Sequence, residues 1–245
     1  MLEVVSISKN FGPLQAVKKV TFSANKGEVL GFLAPNGAGK STTMKIITGF
    51  IDPTEGDAKV CGHSIISETL MAQSLLGYVP ENAPLYDEKY VREFLEFIAR
   101  MRGVSPDILE ARIELVIEQA AIKNVEYQKI ETLSKGYKRR VSLAQALIHD
   151  PPVLILDEPT DGLDPNQKHD VRELIKKLAK DKCILISTHI LEEVDEICDR
   201  CIIIGKGVKL FEGTPVELRE KSCLGRSQDV FRAITTGRSV EGVAL

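Results

Sequence analysis

Residues 133–159 read LSKGYKRRVSLAQALIHDPPVLILDEP. Ser134 opens a helix over SKGYKRRVSLAQALI, and the apolar run VLIL that follows is a buried strand ending in Asp157-Glu158. A strand that terminates in two carboxylates presents them at the C-terminal edge of an α/β sheet, where such sheets bind ligands. Upstream, EVLGFLA (28–34) is a second buried strand, and it runs through the loop APNGAGKST (34–42) into a helix reaching about Gly49. Glycines let backbone N–H groups turn inward and approach phosphate oxygens, and a helix N-terminus adds partial positive charge there.

Asn36, Gly37, Ala38, Gly39, Lys40, Ser41 and Thr42 are therefore the candidate phosphate contacts. Lys40 would reach the β- and γ-phosphates of a nucleotide, and Ser41 would ligate Mg²⁺ through its hydroxyl. The general pattern is G-x-x-x-x-G-K-[ST], and its first position is Ala34 here. A positive φ at that position would cost a residue with a Cβ about 1–2 kcal/mol. Asp157 is the expected further Mg²⁺ contact, mostly through water. Glu158 is the expected base for an attacking water, a role that demands hydrogen-bond reach.

The rest of the chain is consistent with one α/β unit. Residues 2–8 and 17–24 alternate apolar and polar, as half-buried antiparallel strands do. Gly56 to Val60 and Leu76 to Val79 read as further strands. From Tyr90 to about Ala121 the spacing becomes helical in VREFLEFIARM and ILEARIELVIEQA, with Pro106 suited to a first turn. After 153–157 a strand–helix rhythm resumes with helix 165–180, strand 183–187, helix 190–197 and strand 201–205. Alternation of this kind argues for a parallel sheet covered by helices. Residues 207–211 add a hairpin strand, and DVFRAIT in the tail reads as a short helix.

Composition bounds the class. At 245 residues, with 43% hydrophobic and 27% charged residues, the chain is an ordinary globular protein with room for a substantial core. A net charge of −3 gives no reason to expect a nucleic-acid partner. No apolar run approaches the roughly 18–20 residues that cross a bilayer, and the N-terminus lacks the layout of a secretion signal. A soluble, intracellular chain is expected. Cys61, Cys183, Cys198, Cys201 and Cys223 are an odd, scattered set, which argues against a disulfide framework. The C-x-x-C spacing of Cys198 and Cys201 is weak support for a metal.

Taken together and in order, these motifs resemble those of the ATP-binding cassette (ABC) ATPases, over residues 2 to about 220. The resemblance implies an α/β P-loop NTPase of ABC type. It has a mainly parallel core sheet, an N-terminal antiparallel β-subdomain, and a helical subdomain inserted at about 82–150. Residues 1–220 would form the ATP-binding domain and 221–245 a tail. In that family ATP lies between two cassettes, so Ser134 and Gly136 would contact the γ-phosphate held by a partner. The family reads L-S-G-G-Q where this chain has LSKGY. Lys135 either adds positive charge near that phosphate or faces solvent. Arg140 matches the family's usual arginine after the signature.

By the same resemblance Phe11 lies where an aromatic ring stacks on adenine, with core packing as the plainer alternative. Glu81 stands where the family has a Mg²⁺- and water-contacting glutamine; as a carboxylate it remains an oxygen ligand but donates no hydrogen bond when ionised. Asp161 to Asp164 match the loop that meets the partner cassette, and His189 matches the switch histidine. The implied function is ATP hydrolysis, with ATP and Mg²⁺, powering a separate membrane permease of exporter type. Partners would be that permease and a second cassette, with no nucleic acid. The location would be cytoplasmic, on the inner face of the membrane through the permease. Tyr86, among the aromatics of ENAPLYDEKYVREFLEF, is the expected exposed contact. The alternatives are a soluble ABC ATPase acting on ribosomes or DNA, and a non-hydrolysing regulatory cassette.

Overall fold

A computed structural model describes residues 1–82, 84–222, 225–237 and 243. Cys223 and part of the 221–245 tail lie outside the described residues. The N-terminal alternation becomes a hairpin of β1 (Leu2–Phe11) and β2 (Leu14–Ala24). Next come β3 (Val29–Leu33), α1 (Lys40–Ile47), β4 (Glu55–Val60), β5 (His63–Ser64), α2 (Thr69–Ser74) and β6 (Leu76–Val79). Three helices follow: α3 (Val91–Met101), α4 (Pro106–Gln119) and α5 (Lys135–Leu147). The strand–helix rhythm then returns with β7 (Val153–Asp157), α6 (Pro165–Ala179), β8 (Cys183–Thr188), α7 (Leu191–Ile197), β9 (Arg200–Gly205) and β10 (Val208–Gly213). Helices α8 (Pro215–Glu220) and α9 (Ser227–Thr236) come last.

The strands form two sheets. One is antiparallel, in the order β2-β1-β4-β5. The other runs β10-β9-β3-β8-β7-β6, parallel throughout except for β10 against β9. Every residue of β3, β7 and β8 is buried, as strands covered on both faces require. Register brings the strand ends into line: Leu33 pairs with Thr188, Asp157 with Ser187, and Val79 with Leu156. The segments that follow these residues therefore leave the sheet at one edge.

One core lies between the antiparallel sheet, α1 and the parallel sheet, around Val4, Phe22, Phe32, Met44 and Ile155. A second joins the opposite face of the sheet to α3, α4 and α5 through Phe94, Leu95, Ile113, Ile117 and Val141, and a third gathers Leu33, Val194, Ile203, Leu218 and Val230. Val91, Phe94, Leu95 and Ala99 are the buried residues of α3, the one-sided spacing that made this helix legible. The short elements β5, α2 and α8 carry too few residues to show a period. For α8 a signal was nevertheless present, because Thr214 and Glu217 form a reciprocal capping box. Cys198 packs so closely on β3 that a Cβ at Gly31 would stand 2.9 Å from its sulfur. Burial pushes the Cys201 thiol up to about 12 and the Cys198 thiol in the same direction, so neither is a ready thiolate.

His149, after α5, gives the fold a pH dependence. Its Nε2 lies 3.2 Å from the Leu76 carbonyl, to which the neutral ring donates. Burial, with Arg102 adding to it, pushes its pKa down to about 4. An unfolded chain protonates this group near 6.5. Stability present above that value is thus lost as pH falls through the window toward 4, with a loss of about 2 kcal/mol by pH 5. Urea unfolding at pH 7 and pH 5 checks this. His149→Gln should shrink the difference by roughly that amount, and an unchanged difference would exclude His149 as its source.

Candidate nucleotide site

The loop after β3 is shaped by two glycines. Gly37 has φ 75° and Gly39 φ 101°, and Gly39 is the N-cap of α1. A Cβ on Gly39 would stand 2.5 Å from the Ala16 carbonyl oxygen. The loop is braced from outside by the β9–β10 turn, where Gly207 N–H donates to the Ala38 carbonyl at 3.0 Å. Ala34, the departure from the general pattern, has no positive φ and is fully buried in the core. The feared backbone strain does not arise there.

Strand β7 delivers Asp157 and Glu158, both buried. Asp157 accepts a hydrogen bond from the Ser187 hydroxyl of β8. Glu158 adopts φ 49°, a left-handed conformation uncommon for a residue with a Cβ. Its Oε1 pairs with Lys40 Nζ, and its Oε2 lies 2.9 Å from His189 Nδ1. One carboxylate thus stands between the lysine of the phosphate loop and the histidine after β8.

Phe11, Asn36, Gly37, Gly39, Lys40, Ser41, Thr42, Glu81, Glu158 and His189 all line one cavity of about 420 Å³. Phe11 is 49% exposed at its rim, which rules out the core-packing alternative. Asp157 lies at the base of the same edge and is not in the lining. Ser134 and Gly136 do not line this cavity either. Ser134 caps α5 by accepting from Tyr137 N–H, and Gly136 packs on the side chain of Gln167. Lys135 takes the second of the expected courses and faces solvent: its side chain is 67% exposed, with Nζ 3.8 Å from Oδ2 of the chain's own Asp161.

Glycine N–H groups, Lys40 and the helix start suit phosphates. Ser41, Glu81 and Asp157 are the oxygen ligands that Mg²⁺ prefers. Among the described residues no group of three or more His, Cys, Asp or Glu side chains is gathered to hold a metal alone.

Three participants were missed in the sequence. Ser187 orients Asp157. Glu193, buried in α7, accepts from the Thr160 hydroxyl and from Thr188 Oγ1 at 2.7 Å, tying the loop after Glu158 to the loop that carries His189. Burial raises its pKa above the usual carboxylate value. Arg139 is the third. Arg140, the arginine singled out from sequence, instead pairs with Asp170 at 2.6 Å. Nothing in KRR separates the buried arginine from its neighbours, and Glu193 stands among the equally charged Glu192, Asp195 and Glu196.

A glycine loop after a parallel strand, with an Asp-Glu strand end beside it, defines a P-loop nucleotide-binding α/β protein. The family model described as ABC transporter matches residues 17–161, and the chain belongs to that family. It is 40% identical over 216 residues to Nod factor export ATP-binding protein I of Burkholderia lata, covering 88% of this chain and 71% of that protein. It is 37% identical to ABC transporter A family member 1 of Dictyostelium discoideum, covering 92% of this chain but 26% of that much longer protein. A solved ATP-binding subunit of an ABC transporter superposes with a TM-score of 0.86 at 30% identity, over 96% of this chain and 99% of that one. The chain is thus an ABC transporter ATP-binding subunit. Among the described residues no helix is long and apolar enough to cross a membrane.

Proposed function

We propose that this subunit hydrolyses ATP to ADP and phosphate and thereby drives a separate membrane permease that exports its cargo. The observation that carries the reading is the Glu158 carboxylate, held between Lys40 and His189 at the cavity that the phosphate loop lines. The relative named for Nod factor export supports the exporter direction. In this reading residues 1–220 are the cassette, with helices inserted over about 82–150, and 221–245 a tail.

Phe11 stacks on the adenine. The N–H groups of Asn36 to Thr42 and the Lys40 ammonium hold the phosphates, which compete with Glu158 for Lys40. Ser41, Asp157 and Glu81 would hold Mg²⁺, which when bound offsets the phosphate charge. Glu158 accepts the proton of the attacking water, and His189 fixes its second oxygen. Ser134 and Gly136 serve the nucleotide of a second cassette, so two cassettes close together on ATP. Tyr86, 45% exposed and stacked edge-on to Phe94 at 5.7 Å, belongs to the permease-facing surface at the cytoplasmic side of the membrane.

The test is recovery of the tagged chain from its native membrane in mild detergent, followed by an ATPase assay of what is recovered. A membrane-spanning chain should co-purify, and ADP release should require Mg²⁺ and stop with EDTA. Recovery without a membrane chain removes the permease half of the reading. Failure of the recovered complex to release ADP removes the hydrolytic half.

A further inference from the structure

Arg139 lies on α5, three residues after Gly136, with 8% of its surface exposed. Its guanidinium reaches the backbone of two separate loops. Nε donates to the Pro159 carbonyl at 3.0 Å, and Nη2 donates to the carbonyls of Asp157 and Glu158, the latter at 2.6 Å. Nη1 donates to the carbonyls of Pro80 at 2.8 Å and Glu81 at 3.2 Å. A guanidinium has five N–H donors in a fixed planar fork, and carbonyls on two sides occupy this one.

Among the described residues Arg139 makes no carboxylate ion pair; its buried charge is held by hydrogen bonds to carbonyls, with longer-range attraction from Asp157, Asp161, Glu158 and Glu81. Such an arrangement is costly unless every donor is satisfied. The fork is also rigid, so its two sides move together. One side holds the turn at which Glu158 takes its left-handed conformation. The other holds the loop that carries Glu81. The stem belongs to the helix whose first turn holds Ser134 and Gly136.

We propose that Arg139 is a positioning residue: it couples the setting of α5, whose N-terminus serves the partner's nucleotide, to the placement of Glu158 and Glu81 in this chain's own site. The inference rests on the hydrolytic reading above. A shift of α5 that tilts the fork displaces both loops at once, so hydrolysis in one site follows the engagement of α5 by the other. Lysine cannot replace it, because three donors on one nitrogen cannot reach the five carbonyls that the planar fork spans.

The experiment uses the full chain with its permease complex and compares wild type, Glu158→Gln, Arg139→Lys and Arg139→Gln. Thermal melting reports folding, direct titration reports ATP binding, and steady-state kinetics separate kcat from KM. A folded Arg139→Lys chain should bind ATP within about 3-fold of wild type, since no nucleotide contact is altered. Its kcat should fall at least about 10-fold, the signature of an interaction needed for the reaction and not for binding. Unchanged kcat in a folded variant overturns the proposal. So does a loss confined to ATP binding or KM, and so does failure of both variants to fold, which would mark a purely structural anchor. Absence of hydrolysis in wild type, or normal turnover in Glu158→Gln, would instead strike the functional reading.

Discussion

Glu158→Gln is expected to keep ATP binding, lower turnover by at least about 100-fold, and trap an ATP-dependent dimer. General-base catalysis contributes on the order of 10²–10⁴ in rate, and glutamine has the carboxylate's shape without its basicity. Binding survives for a reason specific to this site. Lys40 is paired with Glu158 Oε1, so phosphate oxygens must draw the ammonium away from a carboxylate. Removing that charge removes the competition, and ATP affinity should hold or rise. With hydrolysis blocked, the closed pair of cassettes persists. Light scattering with and without ATP reads the dimer, and phosphate release reads turnover. Normal turnover in the variant sinks the assignment of Glu158 as the base.

Gly39→Ala is expected to cost ATP affinity heavily while leaving the fold standing. At φ 101° the backbone lies outside the left-handed region that other residues reach. The added Cβ would also meet the Ala16 carbonyl oxygen at 2.5 Å, an atom of the β2 backbone that cannot swing aside. Strain of about 1–3 kcal/mol at one residue must be relieved by reshaping the loop that offers its N–H groups to phosphate. A loss of about 10–100-fold in affinity follows. Gly37→Ala is the internal control. Its φ is 75°, and a Cβ there meets nothing within 4 Å, so it should be milder. Equal losses from the two substitutions would refute the steric account. Calorimetric titration with ATP, beside a melting curve for each variant, makes the comparison.

The parallel strands were legible because they are short apolar runs that end in recognisable punctuation. EVLGFLA stops at the glycine loop and VLIL at Asp157-Glu158, so the sheet edge could be placed from residue types alone. Helix α3 was legible through the spacing of Val91, Phe94, Leu95 and Ala99. The small elements β5, α2 and α8 were not, since six residues or fewer hold no period. Within the site, Lys40, Ser41, Asp157, Glu158 and His189 were legible as motif residues. Arg139, Ser187 and Glu193 were hidden, because each takes a partner from a segment distant in sequence: backbone carbonyls for Arg139, the Asp157 carboxylate for Ser187 and the Thr160 hydroxyl for Glu193.

The chain's own residues determined the alternation of strands and helices, the phosphate loop, the paired carboxylates and the order in which they occur. Those are local properties, set by hydrophobic period, glycine placement and capping chemistry. Tertiary structure decided which of two adjacent arginines is buried, where Lys135 points, and that Ala34 bears no strain. It also decided that one carboxylate faces both Lys40 and His189. The physical reason is that burial and hydrogen-bond partnership arise between segments. Only the strand order β3-β8-β7-β6 brings Lys40, His189, Glu158 and Glu81 to one edge.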